Sequence, residues 1–230
     1  MLRYLVLFDI DGTLVWSDGA GKASLAAALQ RVFGTQGRLA AYDLRGQTDR
    51  QIVSDVLAGE GISPEEIETR FEDLCGVMAD ELVALLPRHD VRPVTGGLQL
   101  VERLRAREDV LLGLVTGNFR ETGYLKLEAA GYAREDFRVG AYGSERARRT
   151  DLPPLAVERA RQLVGQRFAG QNVVVVGDTP ADIACARSVN ARTVAVATGW
   201  DSVETLRSHS PDSVLLDLTD TEQALAAILA

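Results

Sequence analysis

Cysteine and histidine are nearly absent from this chain, with two of each in 230 residues. Cys75 and Cys185 stand far apart, each inside a helix-like apolar pattern. That spacing excludes a disulfide framework and a zinc site, and leaves two buried, reduced thiols as the expectation. His89 and His209 are isolated and read as surface or loop residues. Basic charge is also short: 25 lysines and arginines face 33 aspartates and glutamates, for a formal net charge of -8 at pH 7. No basic surface is therefore offered to a nucleic-acid backbone or an anionic membrane. Long hydrophobic runs are missing too, since Leu5 to Phe8 and Val173 to Val176 fall far short of a membrane span. Met1 leads directly into a strand-like segment without a signal-peptide pattern, so the cytoplasm is the expected location. With 46% hydrophobic and 25% charged residues, what remains is the composition of a globular protein.

Apolar runs of strand length occur at Tyr4 to Phe8, Leu111 to Val115, Val173 to Val176 and Thr193 to Val196, with a weaker one at Ser213 to Leu216. Stretches of helical period separate them, such as Leu98, Val101 and Leu104, or Leu155, Ala156, Arg159 and Leu163. This alternation predicts an α/β fold with a Rossmann-like parallel sheet wound on both faces. Residues 16-92 interrupt it, because their apolar positions fall almost entirely at helical spacing. Leu25, Leu29, Val32 and Phe33 predict one helix, and Ile52, Val53, Val56 and Leu57 a second. A long third helix is expected after Ser63-Pro64-Glu65-Glu66, carrying Ile67, Phe71, Leu74, Met78, Leu82 and Leu85. The expected organisation is a catalytic core from 1-15 and 93-230, with an all-helical cap domain, 16-92, inserted and hinged at its two crossings.

Three polar clusters follow predicted strand ends: Asp9-Ile10-Asp11-Gly12-Thr13, Thr116-Gly117-Asn118, and Gly177-Asp178-Thr179-Pro180-Ala181-Asp182. In open α/β sheets that edge binds ligands. Asp9, Asp11 and Asp178 gathered there without histidine or cysteine would repel one another unless a hard cation or a shared proton relieves them, and an all-oxygen site of this kind suits magnesium. Thr116, Gly117 and Asn118 offer a hydroxyl, an unobstructed backbone N–H and an amide, donors suited to phosphate oxygens. Asp182 has two readings at this point, as part of that acidic set or as the partner of Thr179 in a helix cap with Pro180 at the first helical position.

The order and placement of these motifs resemble the first, second and fourth motifs of the haloacid dehalogenase superfamily. The helical insertion after the first motif resembles its phosphoglycolate phosphatase-like branch. The resemblance implies that Asp9 is a nucleophile forming an aspartyl phosphate, and that Asp11 is the general acid and then the base. It implies magnesium (Mg2+) held by Asp9, the Asp11 backbone carbonyl and Asp178, with Asp182 supporting. Thr116, Gly117 and Asn118 would bind the transferring group, and the substrate would be a small phosphorylated metabolite. The family's third-motif lysine has no counterpart in the expected stretch, because the chain's two lysines are Lys22 in the insertion and Lys126 on a predicted helix. Arg146, Arg148 and Arg149 are the available substitutes, and Arg149 is preferred because it falls nearest the start of the following helix.

Asp11 argues against dehalogenation, whose halide leaving group needs no acid. Phosphatase is the first expectation. A sugar phosphomutase shares every core residue and is the nearest alternative; a phosphonate hydrolase would need a cap lysine, for which only Lys22 is available, and a non-catalytic binding protein on the same fold completes the set. Gly19-Ala20-Gly21-Lys22 lacks the remaining residues of a nucleotide loop, and Asp9-Ile10-Asp11-Gly12 has its glycine too early for a calcium loop. In the insertion, Lys22, Arg45, Gly46, Gln47 and Thr48 are weak candidates for substrate contact.

Overall fold

A computed structural model describes residues 2–230. The first strand, β1 (Tyr4–Phe8), is buried along its whole length and sends alternate side chains to opposite faces, as a period of two requires. A short ribbon strand β2 (Val15–Trp16) leads to α1 (Ala20–Phe33), α2 (Asp49–Leu57), α3 (Pro64–Thr69) and α4 (Phe71–Leu85), and β3 (Arg92–Pro93) brings the chain back antiparallel to β2. Then come α5 (Gly97–Arg105), β4 (Val110–Thr116), α6 (Arg120–Ala129), β5 (Val139–Tyr142), α7 (Leu152–Val164), β6 (Val173–Gly177) and α8 (Pro180–Ala186). The chain ends with β7 (Arg192–Val196), α9 (Val203–Ser208), β8 (Ser213–Leu215) and α10 (Thr221–Leu229).

The described residues form a six-stranded parallel sheet in the order β5-β4-β1-β6-β7-β8. Tyr4, Val6 and Phe8 pack with Leu100 and Leu104 of α5, Leu127 of α6 and Leu225 of α10. Leu5 and Leu7 pack on the other face with Ala156 and Ala160 of α7 and Cys185 of α8. Because β1 lies between β4 and β6, the order in which strands are added reverses across it. The C-terminal ends of these three strands meet at one switch point, where this fold class forms its ligand crevice.

Helices α1, α2 and α4 enclose a separate apolar cluster around Leu25, Leu29, Ile52, Val56, Leu74 and Met78. The core's own Phe119 is built into this cluster, 1% exposed, with its ring edge-on to Phe71.

Several expectations need correction. The long third helix is two, because the chain bends at Arg70 (φ -100°, ψ 6°). α3 buries no residue fully, and only Ile67 of its apolar positions packs, half-buried, against the cluster below α4. β5 is an added strand, invisible as an apolar run because Val139-Gly140-Ala141-Tyr142 is half small residues. It forms by parallel pairing, Gly113 opposite Val139. Cys185 is buried, whereas Cys75 is only half-buried; both thiols are free. No helix among the described residues is long and apolar enough to cross a membrane.

Candidate active site

Asp9 follows β1, Thr116 ends β4 and Asp178 follows β6, so the three polar clusters converge. The carboxylates of Asp9, Asp178 and Asp182 lie within 4.8 Å of one another, all buried. Two turns allow this approach. Gly12 adopts φ +80°, and a Cβ there would run into the Asp178 carboxylate, so only glycine fits the loop. Thr13 Oγ1 then donates to Asp178 Oδ1 at 2.9 Å. Asp182 fills both roles open to it. Its Oδ2 accepts from the Thr179 backbone N–H at 3.0 Å and from Thr179 Oγ1 at 2.7 Å, completing a capping box at the start of α8. Its Oδ1 accepts from Arg149.

Arg149 is the cation of this cluster. Its side chain is 8% exposed, Nη2 stands 3.0 Å from Asp9 Oδ2 and also meets Asp182, and its buried Nε has no hydrogen-bond partner among the described residues. Arg148 points away to Asp151 at 3.1 Å with its side chain 78% exposed, and Arg146 is an exposed side chain bonded to a neighbouring carbonyl. One guanidinium does not neutralise three carboxylates. Burial drives the Asp9 carboxyl up to about 6, with Arg149 opposing and Asp182 adding to the rise. Burial and the charges of Asp182 and Asp9 hold Asp178 well above the ordinary carboxylate range. The donor set is all oxygen and carries uncompensated negative charge, which fits a hard divalent cation.

Asp11 is two residues from Asp9, yet its carboxyl turns away from the cluster. The grouped carboxylates are those of Asp9, Asp178 and Asp182, and the ligand expected of Asp11 is its backbone carbonyl rather than this side chain. Asp11 Oδ2 accepts from Lys126 Nζ at 2.7 Å and from Asn118 Nδ2 at 2.8 Å, while Oδ1 accepts from Ser17 Oγ at 2.8 Å. Burial alone would raise the Asp11 carboxyl, but Lys126 and the donors from Asn118 and Ser17 outweigh it and bring it below the ordinary value. Asp9 and Asp11 are thus pushed in opposite directions by their surroundings.

Lys126 is the residue that sequence reasoning left out. Phe119, Thr122, Gly123 and Ala130 mark the inward stripe of α6, and Lys126 falls on it by helical period. A lysine at an apolar-stripe position was the available signal.

Thr116 Oγ1 accepts from the Asn118 backbone N–H at 3.3 Å and from Asn118 Nδ2 at 2.8 Å, fixing the loop after β4. The start of α2 lies directly on that loop: the Asp49 N–H donates to Gly117 O at 2.7 Å, and Asp49 Oδ2 accepts from the Phe119 N–H at 2.7 Å. A Cβ on Gly117 would strike the Gln47 carbonyl. Burial pushes the Asp49 carboxyl to about 6, with Lys126 and the Phe119 N–H opposing.

Above these groups is a cavity of about 560 Å³, within the roughly 300–1,000 Å³ of small-molecule pockets. Asp9, Asp11, Asn118, Lys126 and Arg149 are among the residues that line it. Trp16 and Trp200 also line it, with ring centroids 4.8 Å apart, and Trp200 is 67% exposed. Of the weak candidates, Lys22, Arg45, Gly46 and Gln47 line the cavity. Thr48 instead caps α2 and donates to Ala147 O at 2.5 Å.

A parallel sheet with buried carboxylates gathered at its switch point is the layout of an α/β protein whose ligand site lies at the strand ends. The haloacid dehalogenase-like hydrolase family matches residues 5–190, and the chain belongs to it. Over 221 residues the chain is 24% identical to a protein named pyrophosphatase PpaX from Oceanobacillus iheyensis, covering 94% of this chain and 93% of that one. Among solved structures, CbbY from Rhodobacter sphaeroides in complex with phosphate superposes with a TM-score of 0.70 at 16% identity, over all of both chains. A hydrolase from Pseudomonas syringae superposes at 0.65 with 19% identity, over 99% of each chain.

Proposed function

We propose that the protein is a magnesium-dependent phosphatase that hydrolyses a small phosphorylated metabolite through an aspartyl phosphate on Asp9. The observation that carries this reading is the contrast between two neighbouring carboxylates. Asp9 sits beside Arg149 in a cluster that needs a cation, while Asp11 is held apart by Lys126, Asn118 and Ser17. The contrast is one of position: a carboxylate inside the cation cluster is placed to attack phosphorus, and one standing clear of it beside the cavity is placed to pass protons.

Asp9, Asp178 and the backbone carbonyl of Asp11 would hold the magnesium, with Asp182 steadying Arg149 beside them. When bound, the ion supplies positive charge that offsets the crowding of carboxylates and of substrate phosphate. Asp9 attacks phosphorus, and the bond to the leaving oxygen breaks with its electron pair. That oxygen takes a proton from Asp11. The Asp11 carboxylate next takes a proton from water, whose oxygen attacks the aspartyl phosphate. The bond to Asp9 breaks, its carboxylate is restored and inorganic phosphate departs. Arg149, with its open Nε, and the Thr116-Gly117-Asn118 loop would bind phosphoryl oxygens.

Residues 16-92 would act as a cap that excludes water and selects the leaving group. The cavity's upper wall includes Leu25, Tyr42, Leu44, Ile52 and Met78. Lys22, Asp43, Arg45 and Gln47 add polar groups to that lining, suited to a polar leaving group. The intact set of carboxylates favours catalysis over passive binding.

The test is a phosphate-release screen over phosphorylated metabolites, pyrophosphate included, with magnesium and with a chelator. Asp9→Asn is the control, since an amide is neither nucleophile nor anionic ligand. The expected result is magnesium-dependent turnover that is lost in a folded Asp9→Asn protein; near-normal turnover in that variant would overturn the covalent route.

A further inference from the structure

Lys126 lies outside the three strand-end clusters and reaches the site from α6. Its side chain is 5% exposed. Long charged side chains are almost never this deeply buried unless paired, and this one is paired twice: Nζ donates to Asp11 Oδ2 and to Asn118 Oδ1, each at 2.7 Å. Asn118 returns a bond from Nδ2 to the same Asp11 oxygen at 2.8 Å, closing a three-membered ring of contacts. The bond from Lys126 also decides which way the Asn118 amide faces, because an ammonium can only donate and so selects the carbonyl oxygen. From the insertion, α1 passes directly over the ammonium. A Cβ on Gly21 would come 2.7 Å from Nζ, so glycine lets the helix lie there.

Resting on the phosphatase reading, we infer that Lys126 is a positioning residue for Asp11. With Asn118 it occupies Oδ2 and fixes the rotation of the carboxyl. Oδ1, bonded to the Ser17 hydroxyl, is then the oxygen that gives its proton to the departing oxygen and takes one back from water. Two cations thus stand by the two carboxylates: Arg149 beside Asp9, and Lys126 beside Asp11.

The experiment compares kcat/KM for 4-nitrophenyl phosphate and benzyl phosphate in wild type, Lys126→Met, Lys126→Gln and Lys126→Arg, at saturating magnesium. kcat/KM reports events up to departure of the leaving group. Nitrophenolate leaves without a proton, whereas the benzyl alkoxide needs one. Wild type is expected to hydrolyse both esters with magnesium; failure to hydrolyse either, or any other phosphate ester, overturns the phosphatase reading itself. Lys126→Met and Lys126→Gln are expected to lose on the order of 100-fold on benzyl phosphate and less than about 5-fold on the nitrophenyl ester. Lys126→Arg is expected to recover part of the benzyl loss. Equal losses on both esters would show that Lys126 acts on the phosphate or on the fold, and would overturn the inference. Melting curves accompany each variant, and the glutamine and arginine variants decide the comparison should the methionine variant not fold.

Discussion

The ring of Phe119 stands edge-on to that of Phe71, centroids 5.2 Å apart at 74°, so the residue next to Asn118 in the loop after β4 is anchored inside the helical insertion. Movement of the insertion would therefore pull on the loop proposed to meet the phosphoryl group. Phe119→Ala is expected to destabilise the protein by about 3–5 kcal/mol, as for a buried aromatic truncated to alanine. It is also expected to lower kcat, through the displaced Asn118. Urea unfolding and steady-state kinetics check the two parts, and a loss under about 1 kcal/mol would mean that the ring is not held.

Arg149→Ala is expected to cost on the order of 2 to 4 kcal/mol of transition-state stabilisation, because it removes a buried charge-assisted donor beside Asp9. Arg148→Ala and Arg146→Ala alter exposed side chains and are expected to leave kcat/KM within about 3-fold of wild type. Three equal effects would remove arginine from the phosphoryl site.

Asp49 holds its proton up to about pH 6 in the folded chain, against an ordinary value of 3.8. Folding therefore takes up a proton between these values, and this contribution to stability is lost as pH rises from about 4 to 6. Asp9 has the same sign, its carboxyl also raised to about 6. In chelator, the melting temperature of Asp49→Asn is expected to fall less steeply across that interval than that of wild type. The asparagine Oδ1 can still accept from the Phe119 N–H, which separates charge from hydrogen bonding. Identical slopes would exclude Asp49 as a titrating group there.

In oxygen-18 water the enzyme is expected to release labelled inorganic phosphate at the rate of alcohol release, because on the proposed route water attacks phosphorus in the second step. Isomerised ester with little free phosphate would instead assign the second step to a returning sugar.

The strand-end clusters were legible because parallel strands read as apolar runs that stop at polar turns, as Tyr4 to Phe8 stops at Asp9. β5 was not, since its pairing with β4 is a tertiary event that Val139-Gly140-Ala141-Tyr142 does not announce. Lys126 was read as a helix lysine, and a helix lysine ordinarily faces solvent. Its partner Asp11 is 115 positions away in the chain, and only the packing of α6 against the β1 loop brings them together. The bend at Arg70 was hidden for the complementary reason: apolar spacing persists across it while burial does not.

The contact between Trp16 and Trp200 has a practical consequence. They are the chain's only two tryptophans, both on the wall of the cavity, one on the ribbon leading into the insertion and the other in the loop after β7. Indole emission from this protein therefore originates entirely at the site. A ligand entering the cavity, or a shift of the insertion, changes that signal without any attached label, so the binding steps that precede chemistry can be timed in the unmodified chain.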